Sequence, residues 1–82
     1  MRIDFIVNGE TVPIEHGINT PLFVGMREAL DASNNTARPL EEWEVRDQSG
    51  GLLDRTISPT GHSISDGAIL FVTLRLGAGG DA

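Results

Sequence analysis

The last nine residues, Leu74-Arg75-Leu76-Gly77-Ala78-Gly79-Gly80-Asp81-Ala82, hold the residue types and spacing that point most directly to a chemistry. Alternating apolar residues run straight into a glycine-rich stretch, and a diglycine stands two residues short of the last one. Acyl transfer is the reaction such a sequence could support. Removal of Asp81 and Ala82 would free the Gly80 carboxylate, which could then be activated and passed to a nucleophile. A carboxylate is a poor electrophile until a leaving group is attached, and covalent transfer divides one hard acylation into easier steps. Gly79 and Gly80 have no side chains, so this stretch can enter a narrow site and leave its carbonyl open to attack.

No other constellation competes. His16 and His62 stand alone in expected loops, without cysteine and without metal-ligand spacing, and read as surface or hydrogen-bonding histidines. Glu41-Glu42-Trp43-Glu44 offers paired carboxylates, but strand alternation puts Glu42 and Glu44 on a solvated face. Gly50-Gly51 is a turn rather than a phosphate loop, since no lysine or helix follows it. So short a chain offers no deep pocket. The expectation is a protein that is not itself an enzyme and binds no metal or cofactor.

The charge balance narrows the partners. Twelve acidic and six basic residues give a net charge of −6, which argues against nucleic acid and anionic membrane and weakly favours basic docking surfaces. All the basic residues are arginine, as a genome rich in G and C would produce, and lysine is absent. Copies of this chain therefore cannot be joined through lysine. No apolar run approaches the roughly 20 residues that cross a bilayer. Residues 1–7 look too short and too strand-like for a signal peptide. With no cysteine either, the expectation is a cytoplasmic protein without disulfides.

The elements that must position the glycine stretch follow from periodicity. Residues 2–7 alternate, with Ile3, Phe5 and Val7 on one face and Arg2, Asp4 and Ile6 on the other. Asn8-Gly9 is a strong hairpin turn, and a return strand over 10–15 carries Val12 and Ile14, with Pro13 suggesting an edge or a bulge. Thr20 as N-cap and Pro21 as first helical residue predict a helix to about Ser33. Leu22, Met26, Ala29 and Leu30 form its apolar face, which reads as core rather than as a ligand groove. Gly25 marks a close approach to the sheet. Residues 42–47 predict a third strand with Trp43 and Val45 inward, and Leu52-Leu53 a short fourth. Ile57 is the expected buried anchor of an irregular stretch. Residues 68–76 predict the longest strand, with Leu70, Val72 and Leu74 on one face and Ile69, Phe71, Thr73 and Arg75 on the other. The order β-β-α-β-β-β makes an α+β domain over residues 1–76, a mixed sheet with one helix packed on one face. Residues 77–82 form a tail expected to be mobile.

This order, the opening hairpin, the single helix and the Leu74-Arg75-Leu76 then Gly79-Gly80 ending resemble the β-grasp fold of ubiquitin and its relatives. The best fit is a bacterial ubiquitin-like protein encoded beside its own activating and conjugating enzymes. The resemblance implies a sequence of partners. A processing peptidase removes Asp81-Ala82. An activating enzyme uses ATP to adenylate the Gly80 carboxylate, and a conjugating enzyme carries the acyl group to a target protein. It also implies that Leu74, Arg75, Leu76, Gly77 and Ala78 contact the activating enzyme, with a solvated strand-end arginine as the plain alternative for Arg75. Bacterial relatives of this kind commonly serve in antiphage defence, although no residue here shows it. Residues 77–80 span only about 13–14 Å when extended, so the domain must dock close to the catalytic centre.

The chain departs from ubiquitin in three respects. Ala78 adds one residue before the diglycine. Glu44 stands where ubiquitin has an apolar surface residue central to partner binding, which displaces any apolar patch toward Ile6, Ile69 and Phe71, unless the sheet curls and buries them. Without lysine, lysine-linked chains are excluded. Two other readings stay open. A sulfur carrier shares the fold, diglycine and adenylation, but usually ends at the diglycine. A pure interaction module would never be activated.

Overall fold

Strand β1 (Arg2–Val7) alternates as its sequence requires, burying Ile3, Phe5 and Val7. Asn8 and Gly9 both adopt positive φ, 51° and 83°, the conformation a two-residue turn needs if the strands are to keep their twist. Strand β2 (Glu10–Glu15) returns antiparallel, with Val7 opposite Glu10 and Arg2 opposite Glu15. The computed structural model describes residues 1–75.

Helix α1 (Leu22–Ala32) crosses one face of the sheet and buries Leu22, Gly25, Met26, Ala29 and Leu30. A short 3-10 turn (Leu40–Glu42) leads into β3 (Trp43–Arg46), followed by β4 (Leu52–Leu53) and β5 (Ala68–Leu74). The sheet order is β2-β1-β5-β3-β4. β5 lies between β1, to which it is parallel, and β3, to which it is antiparallel. The result is an α+β domain with a mixed five-stranded sheet and one helix. β2 is an edge strand, and Pro13 sits on it opposite Asp4; with no N–H to offer, it also blunts that edge against further pairing.

The core lies between the sheet and α1. Val7, Val72 and Val45 stand in register across three strands, and Phe5 faces Val12 on one side and Leu70 on the other. Each of these is buried, beneath Leu22, Met26, Ala29 and Leu30 of the helix.

Several expectations are corrected. Pro21, not Thr20, is the helix N-cap, and no side chain caps it. The first free N–H groups donate instead to distant backbone, Leu22 to the Ile57 carbonyl (3.1 Å) and Phe23 to the Arg55 carbonyl (2.9 Å), which meets the same need. Ile57 serves the fold through that carbonyl. Its side chain is 39% exposed, and the buried side chain of this stretch is Pro59. The third strand is shorter than residues 42–47, because Glu42 belongs to the 3-10 turn and Asp47 folds over to hold the next turn. β5 ends at Leu74, which is 38% exposed at the sheet margin instead of buried beside Leu70 and Val72.

His16 is the largest correction. It follows β2 directly, outside the strand, but it is not on the surface, being 4% exposed. Its N–H donates to the Met1 carbonyl at 2.7 Å, carrying the ladder one residue past β2. The ring is thereby turned inward, with centroids 6.3 Å from the Phe5 ring and against α1 at Gly25. Nδ1 donates to the Gly17 carbonyl (2.8 Å), and Nε2 is buried without a hydrogen-bond partner among the described residues.

Two turns are held by carboxylates. Asp47 Oδ1 accepts from the Ser49 hydroxyl (2.6 Å) and from the N–H groups of Ser49 and Gly51. Asp54 Oδ1 accepts from the Thr56 hydroxyl (2.6 Å) and N–H (2.9 Å). Hydrogen bonding, led by the Ser49 hydroxyl for Asp47 and the Thr56 hydroxyl for Asp54, holds both carboxyls below the usual carboxylate range. A carboxyl whose folded value is depressed stabilises above its unfolded value, and the contribution is lost as pH falls through the folded one. Thermal melts are therefore expected to fall in midpoint below about pH 4, and Asp47→Asn to flatten that acid slope. An unchanged slope in the variant would show that this turn is not coupled to global unfolding.

Candidate functional site at the C-terminal end of the sheet

The site is built where β5 ends. Leu74 pairs with Trp43, and the Arg75 N–H donates to the Glu42 carbonyl at 2.8 Å. The chain is thus fixed to the start of β3 at the point where it leaves the sheet. The Arg75 side chain is exposed and has no ion-pair partner among the described residues. It borders an open cleft of about 370 Å³ whose wall includes Val45, Leu52, Asp54 and Arg55. Arg55, in that wall, donates from Nη1 to the Trp43 carbonyl (3.3 Å). The arrangement sets an exposed cation beside a wall of mixed character, Leu52 and Leu53 next to Glu44 and Asp54, at a fixed exit point.

Of the predicted site residues, Leu74 and Arg75 are therefore together at one end of a central strand. Leu76, Gly77, Ala78, Gly79, Gly80 and Asp81 lie outside the described residues.

The predicted patch is on the face of the sheet opposite α1. Ile6, Ile69 and Phe71 are each half-buried, neither covered nor fully open. Ile6 and Phe71 are direct neighbours, and Ile69 stands one row away beside Asp4. Across from Phe71 lies Arg46, and beyond it Leu52, 61% exposed. The row Ile6–Phe71–Arg46–Leu52 is consequently apolar with one guanidinium set into it. Glu44 holds that guanidinium at 2.9 Å, and the Gly50 carbonyl accepts from Nη1 at 2.9 Å. Sequence reasoning missed Arg46 and Leu52, because which residue of a two-residue strand faces out depends on register with β3. The alternation of Glu44 and Arg46 was the one available signal.

His62 is half-buried and its Nε2 donates to the Asp54 carbonyl at 2.8 Å, as a hydrogen-bonding histidine does. Among the described residues no three His, Asp or Glu side chains are placed to hold a metal ion, and no helix is long and apolar enough to cross a membrane.

Comparison with known proteins places this geometry in a family. The chain is similar to the uncharacterized protein y4jI of Sinorhizobium fredii, with 34% identity over 80 residues. That alignment covers 98% of this chain and 62% of the relative, so the chain spans less than two thirds of the relative's length. A family model for proteins of unknown function, DUF2604, matches residues 1–80, taking in Gly79 and Gly80 and stopping before Asp81. With nearly its whole length matched, the chain belongs to the DUF2604 family.

Proposed function

We propose that this chain is a ubiquitin-like protein modifier with a β-grasp fold. The observation that carries the reading is the place of β5. The last strand is central in the sheet, parallel to β1 and antiparallel to β3, with one helix across one face. Its end is tied by the Arg75 N–H to Glu42, so the diglycine segment starts from a fixed point beside an exposed arginine.

In this reading a peptidase hydrolyses the Gly80–Asp81 bond. The freed carboxylate attacks the α-phosphorus of ATP on an activating enzyme, expelling pyrophosphate. A cysteine thiol of the enzyme relay displaces AMP, and a target amine or hydroxyl displaces the thiol. Use of cytosolic ATP places these steps in the cytoplasm.

Intact-protein mass, taken from cells expressing the neighbouring genes, tests this. The expected result is loss of the Asp-Ala mass together with higher-mass adducts, and disappearance of the adducts when Gly80→Trp is introduced. A sulfur-for-oxygen gain on the trimmed form would instead identify a sulfur carrier. A full-length, unmodified chain would overturn both and leave a non-conjugated interaction module.

A further inference from the structure

The chain has four asparagines, Asn8, Asn19, Asn34 and Asn35, and asparagine is among the thermally labile residues. Its side-chain amide is lost as ammonia when the next backbone nitrogen attacks the amide carbon. That attack needs an N–H free of hydrogen bonding and unobstructed by a side chain on its own residue. The fold sorts the four by this requirement. The N–H after Asn19, on Thr20, donates to the Gly17 carbonyl (3.2 Å), and the one after Asn34 donates to the Leu30 carbonyl (2.8 Å). Asn35 is followed by the β-branched Thr36, and its own Nδ2 donates to the carbonyl (3.1 Å) and hydroxyl (2.8 Å) of Ser33. Asn8 alone precedes a glycine, and the Gly9 N–H has no hydrogen-bond acceptor among the described residues. Both residues are exposed, and a Cβ on Gly9 would meet no atom within 4 Å, so the turn stands open to water. Across 27 residues of chain, Asn8 Nδ2 donates to Asn35 Oδ1 at 2.8 Å.

We propose that Asn8 is a site of spontaneous deamidation and that Asn35 restrains it. The Gly9 nitrogen attacks Cγ of Asn8, the Cγ–Nδ2 bond breaks, and the Gly9 proton leaves with the departing nitrogen as ammonia. Water then opens the five-membered imide at either carbonyl, giving aspartate or isoaspartate. To react, the Asn8 side chain must swing back over Gly9, which breaks its bond to Asn35. The two bonds to Ser33 fix the Asn35 amide, so Oδ1 stays presented to Asn8. Either product alters the fold locally. An aspartate sets a carboxylate against the Asn35 oxygen where a donor stood, so the tie between the hairpin and the end of α1 is lost. An isoaspartate adds a backbone carbon to a two-residue turn whose length sets the register of Val7 against Glu10.

Intact mass and peptide mapping of the full chain, held for days in mildly alkaline buffer, are the test. The expected result is a gain of about one mass unit, located at Asn8 before any other asparagine. Asn35→Ala should speed this conversion about fivefold, which is what one hydrogen bond is worth in rate. Gly25→Ala, which crowds the core without touching the turn, should leave the rate at Asn8 unchanged. Conversion first at Asn19, Asn34 or Asn35, equal rates in the native chain and Asn35→Ala, equal acceleration by Gly25→Ala, or no conversion in any of them would each overturn the proposal.

Discussion

Replacing Gly25 by alanine is expected to destabilise the domain by about 1–3 kcal/mol, the usual cost of overpacking. Helix propensity alone predicts the reverse, a gain of about 1 kcal/mol. Packing wins because α1 has no room at this position. A Cβ on Gly25 would collide with Cδ2 of His16 and would stand 2.8 Å from its Nε2 and 2.9 Å from Cε2 of Phe5. Phe5 is fully buried and cannot withdraw, and His16 is pinned through its own N–H and Nδ1. In a domain of this size each kcal/mol moves the melting midpoint by about 4–8 °C, so a fall of roughly 10 °C is the expected reading in a melt followed by Trp43 fluorescence. The cost should shrink in a His16→Ala background, since the two side chains compete for one volume and such neighbours are not additive. A rise in midpoint for Gly25→Ala would show that the helix can lift off the Phe5–His16 contact at little cost.

Arg75→Ala is expected to leave stability within about 0.5 kcal/mol, as surface substitutions do, yet to slow adenylation by the activating enzyme about 30-fold or more. Stability is spared because the structural tie at this residue is its backbone N–H to Glu42, which alanine keeps. The guanidinium is exposed and pairs with no acid among the described residues. Removing one partner of a charge pair buried on docking costs about 2–5 kcal/mol, and 2 kcal/mol corresponds to about 30-fold in rate. Pyrophosphate exchange with the chain trimmed to Gly80 measures this. An unchanged rate, with Gly80→Trp still blocking the reaction, would confine recognition to the diglycine.

The two predictions draw on different sources of information. The place of Arg75 at the end of the last strand was legible in the sequence because a strand period of two is a local signal. The hairpin was equally legible. Asn8-Gly9 and the alternation on both sides fix register and turn together, and Pro13 narrowed its strand to an edge or a bulge because it has no N–H for the ladder; the edge is what the sheet order shows. The apolar face of α1 and the inward side of β3 followed from periodicity in the same way.

What failed involved partners far away in the chain. Thr20 had the right chemistry for a cap, but the carbonyls of Arg55 and Ile57 reached the helix N-terminus first. Ile57 was expected inside on hydrophobicity alone, and the same contact that engages its carbonyl turns its side chain outward. His16 was expected as a surface or hydrogen-bonding loop histidine; it does hydrogen-bond, but one further rung of ladder to Met1 carried it into the core.

The sequence by itself determined the elements and most of their inward faces, because propensity, period and residue type act over a few neighbouring residues. Only the tertiary structure decided that β5 runs between β1 and β3, that His16 and Phe5 leave no space at Gly25, and that Leu22 and Thr60 bond to the carbonyls of Ile57 and Ile18 across distant stretches of chain. Those outcomes depend on which distant backbone groups pair, and burial compels that pairing without any local pattern naming the partner.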